Sequence, residues 1–94
     1  MILHKKDGTT RFVFENHKAS SVYLVGDFNG WDERATPMQR HGGEQWAVDL
    51  KLREGDYRFL YRVGAQWFLD WEMPNVPNPW GSDFSLLRIP AAHA

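Results

Sequence analysis

The sequence predicts an all-β fold, an antiparallel β-sandwich, and three observations lead to this prediction. Short segments in which apolar and polar residues alternate recur along the chain, and this is the period of a half-buried strand. Turn residues, mainly glycine, asparagine and proline, separate these segments at regular intervals. No stretch repeats apolar residues at three-and-four spacing for the roughly ten residues that an amphipathic helix needs.

Length and composition indicate one globular domain. The chain has 94 residues, of which 43% are hydrophobic and 24% charged, and this suits one core without room for a second. We expect a single module over residues 1–94 with its core at about 10–89. Five Trp, six Phe and three Tyr are many rings for so small an interior, so some of them are expected on the surface.

The alternation places the strands along the chain. The clearest strand is 57–63, where apolar side chains at every second position alternate with Arg58, Leu60 and Arg62. A more apolar and therefore more central strand, 21–25, ends at a glycine that is followed by Asp-Phe-Asn-Gly, a turn signal. The other predicted strands are 10–15, 45–50, 66–69 and 84–89, with one short extended piece around Met38.

A proline-rich stretch, 70–80, precedes the last predicted strand. It contains three prolines and two asparagines as well as Trp71 and Trp80. Proline lacks the backbone N–H that helices and sheet ladders use. We therefore expect a long, stiffened loop without regular helix or strand.

Charge and residue types exclude several classes of function. Lys and Arg number 11 against 12 acidic residues, so there is no basic surplus for nucleic acid. No apolar run approaches the roughly 20 residues that span a bilayer, and the first residues lack the apolar core of a secretory signal. No membrane partner is therefore expected, and the cytoplasm is the default location. Neither metal nor cofactor is expected, because cysteine is absent and the four histidines lack metal-ligand spacing.

One acidic pair is a candidate for catalysis. Asp70 and Glu72 flank Trp71, and glycosidases use two carboxylates roughly 5–10 Å apart. A hydrolase also needs a cleft that excludes water, which a sandwich of this size rarely supplies. We favour the interpretation of a solvated acidic turn over that of a glycosidase, and we do not expect an independent enzyme.

Tryptophans at turns are the candidate functional residues. Trp46 alternates with other apolar residues and is expected in the core, whereas Trp31, Trp67 and Trp80 each lie at or beside a turn. Loops run over the surface, so these three side chains either cap the core or form one exposed aromatic platform. An indole face packs well against the C–H groups of a glucose ring, although a protein partner would use the same residues. Candidates for hydrogen bonds to sugar hydroxyls are Asn29, Arg58, Arg62, Gln66 and Ser82.

Three segments in the same order resemble the family 48 carbohydrate-binding modules. Residues 23–31 resemble their YLxGxFNxW opening, and residues 54–67 resemble their EGxYxYxFxVDGxW hairpin. Residues 78–86 resemble their closing NxxGxxNSV segment. The similarity runs from about Arg11 to Ile89, nearly the whole chain.

The resemblance implies an immunoglobulin-like, early-set β-sandwich that is not itself catalytic. Such modules bind α-1,4 glucans such as glycogen and starch. They occur in the β-subunit of AMP-activated protein kinase and at the N-termini of branching and debranching enzymes. The expected partners are therefore an α-glucan and an α-glucan-metabolising enzyme. The resemblance also implies that Trp31 and Trp67 stack on glucose rings and that Trp80 extends this platform.

Two sugar-binding positions depart from the family pattern, besides a hairpin turn at 63–65 that reads Val-Gly-Ala in place of Val-Asp-Gly. Leu60 stands where the kinase-type hairpin carries a sugar-binding lysine, and Phe84 stands where the closing segment carries a binding asparagine. Loss of two polar contacts of ~1 kcal/mol each would weaken glucan binding by roughly tenfold to a hundredfold. Either the added aromatic rings offset this loss, or the drier face binds a protein or a second copy of the chain. The predicted carbohydrate-contacting residues are Trp31, Leu60, Arg62, Trp67, Trp80, Ser82 and Phe84.

Overall fold

Two antiparallel sheets form the protein in a computed structural model that describes residues 1–16, 18–77 and 83–90. The first sheet has the order β1-β2-β5-β4, and the second has the order β3-β6-β9-β8 with β7 also paired to β6. This arrangement confirms the predicted immunoglobulin-like β-sandwich. The strands are β1 (Ile2–His4), β2 (Thr10–Glu15), β3 (Tyr23–Gly26), β4 (Gln39–Arg40), β5 (Gln45–Leu50), β6 (Gly55–Val63), β7 (Gln66–Phe68), β8 (Asn75–Pro77) and β9 (Asp83–Ile89).

The predicted strands are present with small differences at their ends. The strand expected to be more central, β3, instead lies at the end of its sheet in the described part of the chain, and its apolar residues are buried because both of its faces are covered. β2 and β5 coincide with the predicted segments, and they pair in register from Thr10↔Leu50 to Glu15↔Gln45. β6 begins two residues before the predicted start, at Gly55. The extended piece expected around Met38 is β4, which pairs with β5.

The prediction that 70–80 contains no regular strand is wrong. β8 lies inside it and pairs with β9 through Asn75↔Ser85, Val76↔Phe84 and Pro77↔Asp83. β8 is the edge of its sheet in the described part of the chain, and an edge position tolerates proline because its second side needs no N–H donor. β1 was not predicted either, since three residues are too few for alternation to be visible.

The core forms where the inward side chains of the two sheets meet. Phe12 from the first sheet lies edge-on against Phe59 from the second, with ring centres 5.2 Å apart. Phe14 stacks on Tyr61 with ring centres 4.5 Å apart. Trp46 is buried in this cluster, as predicted. Burial of such rings contributes about 1.5–3 kcal/mol per side chain before entropy is counted.

Alternation along β6 gives the second sheet an outer face, directed away from the core. Phe59 and Tyr61 point inward, so Leu60 and its β3 partner Val25 point outward. Val25 is nevertheless 0% exposed and Leu60 only 9%. Other side chains must therefore cover the middle of this outer face. By strand register the outer face includes Tyr23, Val25, Arg58, Leu60, Arg62, Trp67, Phe84 and Leu86.

Candidate functional site

A tight turn after β3 delivers Trp31 to the outer face. The chain passes from Gly26 through the 3₁₀ turn Asp27–Asn29 to Gly30. A Cβ on Gly26 would lie 2.5 Å from the Arg58 carbonyl oxygen, so only glycine fits there. The Asn29 side chain accepts from Gly26 N at 3.1 Å and donates to the Leu24 carbonyl at 2.9 Å. The Asn29 amide, which was a candidate for hydrogen bonds to sugar hydroxyls, therefore already makes hydrogen bonds within the turn.

Trp31 is held in an unusual conformation. Its φ is 60°, in the left-handed region that bulky residues rarely adopt. Its backbone N–H donates to the Gly26 carbonyl at 3.0 Å, and its indole N–H donates to Asp27 Oδ1 at 2.9 Å. The ring is half-buried and packs on Phe84, with ring centres 4.7 Å apart. Trp31 is therefore positioned through both its backbone and its ring.

Asp27 connects Trp31 to β6. Its Oδ2 accepts from the backbone N–H of Arg58 at 2.8 Å and from Arg58 Nε at 3.2 Å. Partial desolvation would raise the pKa of this carboxyl, but the hydrogen bonds from Arg58 and from Trp31 outweigh it and lower the pKa. Asp27 thus remains an anion that orients two side chains of the outer face.

Phe84 fills space beside Trp31. The guanidinium carbon of Arg58 lies 5.8 Å from its ring centre on β9, and this arrangement suits a cation–π contact. Val76 on β8 pairs with Phe84 in the sheet. The position that carries a binding asparagine in the resembled family is therefore an apolar support for Trp31 in this chain.

Trp67 occupies the far end of the outer face on β7. It pairs with Arg62 of β6, whose guanidinium carbon lies 5.0 Å from the indole centre. Arg62 is held by an ion pair with Glu33 and donates from Nε to the Gly64 carbonyl at 2.8 Å. The indole is 43% exposed. One side of Trp67 is therefore covered by a cation, and the rest is accessible to a ligand.

The structure places five of the predicted contact residues on one face. Trp31, Leu60, Arg62, Trp67 and Phe84 belong to the outer face by register or by ring contact. Leu60 is buried beneath it, so this side chain supports the face more than it contacts a ligand. The remaining two predicted residues, Trp80 and Ser82, lie outside the described residues.

Asp70 is not the solvated acid that the sequence suggested. It is 2% exposed, and its Oδ2 accepts from the Tyr61 hydroxyl at 2.8 Å and from Met1 N at 2.7 Å. Its own N–H donates to Ser85 Oγ at 2.8 Å. Burial, together with the Asp70 charge, raises the pKa of Tyr61 far above its ordinary value. Alternation along β6 turns Tyr61 inward, and a buried tyrosine hydroxyl requires a hydrogen-bond partner. This was the signal in the sequence that could have indicated a buried acid.

Among the described residues there is no group of three or more His, Cys, Asp or Glu side chains that could hold a metal ion. In the same part of the chain, no helix is long and apolar enough to cross a membrane.

Comparison with known proteins identifies the class and then the family. A family model described as the glycogen recognition site of AMP-activated protein kinase matches residues 9–94. The chain is thus a β-sandwich of the carbohydrate-binding-module class, which is non-catalytic by itself. It belongs to the family of the glycogen recognition site of AMP-activated protein kinase.

Individual relatives come from glucan-metabolising proteins. The chain is 34% identical over 68 residues to the chloroplastic phosphoglucan phosphatase LSF1 of Arabidopsis thaliana, covering 67% of this chain and 11% of the relative. It is 42% identical over 55 residues to the 1,4-alpha-glucan branching enzyme GlgB 2 of Xanthomonas euvesicatoria, covering 58% and 7%. It is 33% identical over 73 residues to GlgB of Photobacterium profundum, covering 76% and 10%. The chain thus spans about a tenth of the length of the curated relatives that it matches.

Proposed function

We propose that this chain binds α-1,4-linked glucan through the outer face of its second sheet and performs no chemistry on it. Membership in a glycogen-recognition family supports glucan as the ligand class. The observation that carries the proposal is the pair of tryptophans on that face. Trp67 is 43% exposed at one end, and Trp31 is fixed at the other by Asp27 and Phe84.

The arrangement suits a curved glucan. Glucose presents C–H groups on its ring faces, which pack on indole, and hydroxyls at its edges, which need donors and acceptors. Arg62 lies beside Trp67 with guanidinium N–H groups that can donate to hydroxyls. In this proposal Trp80 and Ser82, which follow β8 in the sequence, add a third stacking ring and a hydroxyl to the same face.

Rigid placement of Trp31 compensates for the missing lysine and asparagine. An indole that is already held by its own hydrogen bond and by a neighbouring ring loses little entropy when a sugar binds. Leu60 and Phe84 thus make no polar contact with the sugar and instead support the stacking side chains. We expect binding that depends mainly on stacking and little on salt.

The proposal extends to the organisation of the chain. Residues 1–94 act as a single module that directs an α-glucan-metabolising enzyme to its polymer, in the cytoplasm. The relatives support the modular organisation, since each is many times longer than the matching region and bears a glucan-related name.

Titration with maltoheptaose or β-cyclodextrin, followed by tryptophan fluorescence, tests the proposed function. We expect saturable binding at up to millimolar sugar and its loss when Trp31→Ala and Trp67→Ala are combined. No response of the wild type at millimolar sugar, or an undiminished response in the double variant, would contradict glucan binding at this face.

A second candidate function is an interaction module that docks this face on a protein or on a second copy of the chain. Packing of Phe84 on Trp31, where the family has a polar residue, favours it because the patch is drier. Sedimentation velocity distinguishes the two functions. Self-association that maltoheptaose does not affect would favour docking, whereas a monomer that binds glucan would exclude self-association.

A further inference from the structure

A groove lies beside the outer face, at the edge where β2 of the first sheet approaches β7 of the second. Its volume is about 780 Å³, within the range of roughly 300–1,000 Å³ that is usual for small-molecule sites. We call it the edge groove. Its lining includes Phe14, Glu15, Trp67, Asp70, Trp71 and Glu72.

We propose that the edge groove is a second glucan-contacting site, in which Trp71 stacks on glucose units that continue past Trp67 from the outer face. This inference rests on the proposed function and extends the binding site beyond the three predicted tryptophans. Trp67 belongs to both surfaces, since it lies on the outer face by register and also lines the groove. A single glucan chain therefore passes from one surface to the other without leaving aromatic contact.

Trp71 is the most exposed large apolar side chain among the described residues, at 95%. An indole in water forfeits its burial energy, and Trp71 has no packing function in this structure. It is nevertheless held in place, because it follows Asp70, which is anchored by Tyr61 and Ser85. Glu72 N also donates to Asp70 Oδ1 at 3.1 Å, which closes a local turn around Trp71. The buried network thus presents an exposed ring on a fixed base.

The covered side of Trp67 indicates the direction in which the glucan runs. Arg62 lies 5.0 Å from the indole centre on the outer face, so that side is partly occupied. Trp67 also lines the groove that holds Trp71. A sugar that stacks on Trp67 is therefore brought toward Trp71.

The charges in the groove favour a neutral polyhydroxyl ligand over a cationic peptide. The lining is acidic, and the described lining residues include no lysine or arginine. Three of its four described acids have these partners: Glu15 accepts from Gln45 at 3.3 Å, Glu72 lies 3.5 Å from Met1 N, and Asp70 is buried and hydrogen-bonded. The remaining lone pairs of these carboxylates accept hydrogen bonds from hydroxyls.

The test compares Trp71→Ala with wild type by calorimetric titration with maltoheptaose. We expect affinity to fall roughly tenfold, as for loss of one well-stacked ring, with an unchanged melting temperature because Trp71 packs on nothing. Trp71→Phe should retain most of the affinity. Leu3→Ala, which removes another exposed apolar side chain on the first sheet, is the matched control and should bind as wild type.

Indole N–H resonances locate the contact independently. With maltoheptaose, those of Trp67 and Trp71 should shift together, each assigned by its variant. If Trp31→Ala weakens binding but Trp71→Ala stays within twofold of wild type, the edge groove is excluded and the proposed function stands. If the wild type binds no maltoheptaose, both proposals fail. Binding of a Lys/Arg-rich peptide that depends on Trp71, without glucan binding there, would likewise overturn the inference.

Discussion

The indole N–H of Trp31 donates to Asp27 Oδ1 at 2.9 Å, while the other carboxylate oxygen of Asp27 accepts from the Arg58 backbone at 2.8 Å. One carboxylate therefore joins the loop that carries the tryptophan to the central strand β6. Hydrogen bonds to a charged acceptor are stronger than those to a neutral one. The position of the proposed stacking ring thus depends on the Asp27 carboxylate.

Removal of this carboxylate should loosen Trp31. We expect Asp27→Ala to lower the free energy of unfolding by about 1–2 kcal/mol, because several hydrogen bonds to a partly exposed anion are lost. Urea denaturation measures this change, and acrylamide quenching should detect greater access to tryptophan. Asp27→Asn keeps one oxygen acceptor and should lose less unfolding free energy than Asp27→Ala. Equal stability and quenching in Asp27→Ala and wild type would show that this bond does not position Trp31.

Acidification should weaken the same link. The pKa of Asp27 is lowered in the folded chain, so its stabilising contribution is complete above the unfolded value of about 4 and is lost as pH falls through the folded value. The pKa of Asp49 is also lowered, by Arg11 and Lys5. The melting temperature should therefore fall below about pH 4. The difference in melting temperature between wild type and Asp27→Asn should be largest above about pH 5 and should narrow toward pH 2. A difference that widened on acidification would contradict the lowered pKa of Asp27.

A methyl group at Gly26 should disrupt the turn. The added Cβ of Gly26→Ala would meet the Arg58 carbonyl at 2.5 Å and Phe59 Cβ at 2.9 Å, neither of which can move freely. We expect a cost of about 1–3 kcal/mol, typical of overpacking. Thermal denaturation measures it. Gly64→Ala, where no atom lies within 4 Å but φ is +60°, controls for conformational strain alone and should cost about 1 kcal/mol. If Gly26→Ala lowered stability less than Gly64→Ala, steric clash of the added Cβ would not be the main cause of its cost.

Tyr61 and Tyr57 allow a matched comparison that tests the buried hydrogen bond to Asp70. Tyr61→Phe removes the hydroxyl that donates to buried Asp70 and should destabilise the fold by about 1.5–3 kcal/mol, as for a bond to a charged group. Tyr57→Phe removes a hydroxyl that donates to the Arg53 carbonyl in an exposed bond and should cost less than about 1 kcal/mol. If chemical denaturation gave the same loss of unfolding free energy for both variants, the buried hydrogen bond from Tyr61 to Asp70 would contribute no more to stability than the exposed one.

The sequence was sufficient to predict features that depend on local pattern. Alternation from Tyr57 to Val63 identified this strand and placed Arg58, Leu60 and Arg62 together on one of its faces, because strand period is a local property. The turn after β3 was visible in its glycines and asparagine. Membership in the glycogen-recognition family agrees with the resemblance that residues 23–31 and 54–67 suggested.

The features that the sequence did not reveal depend on partners that are distant in the chain. The short edge strand β8 exists because β9 supplies its hydrogen bonds, and three prolines nearby masked it. The burial of Asp70 follows from Tyr61, Met1 and Ser85, none of which is a sequence neighbour. Phe84 could be recognised as a departure from the family pattern, but its packing on Trp31 required the structure.

Affinity electrophoresis in native gels that contain glycogen tests the central claim most directly, since it presents the polymer itself. The wild type should be retarded in proportion to glycogen concentration, and a gel with a soluble β-1,4 glucan should leave its mobility unchanged. Trp31→Ala combined with Trp67→Ala should migrate in glycogen as in a plain gel. Unretarded wild type, or equal retardation of wild type and double variant, would contradict α-glucan binding by these two tryptophans.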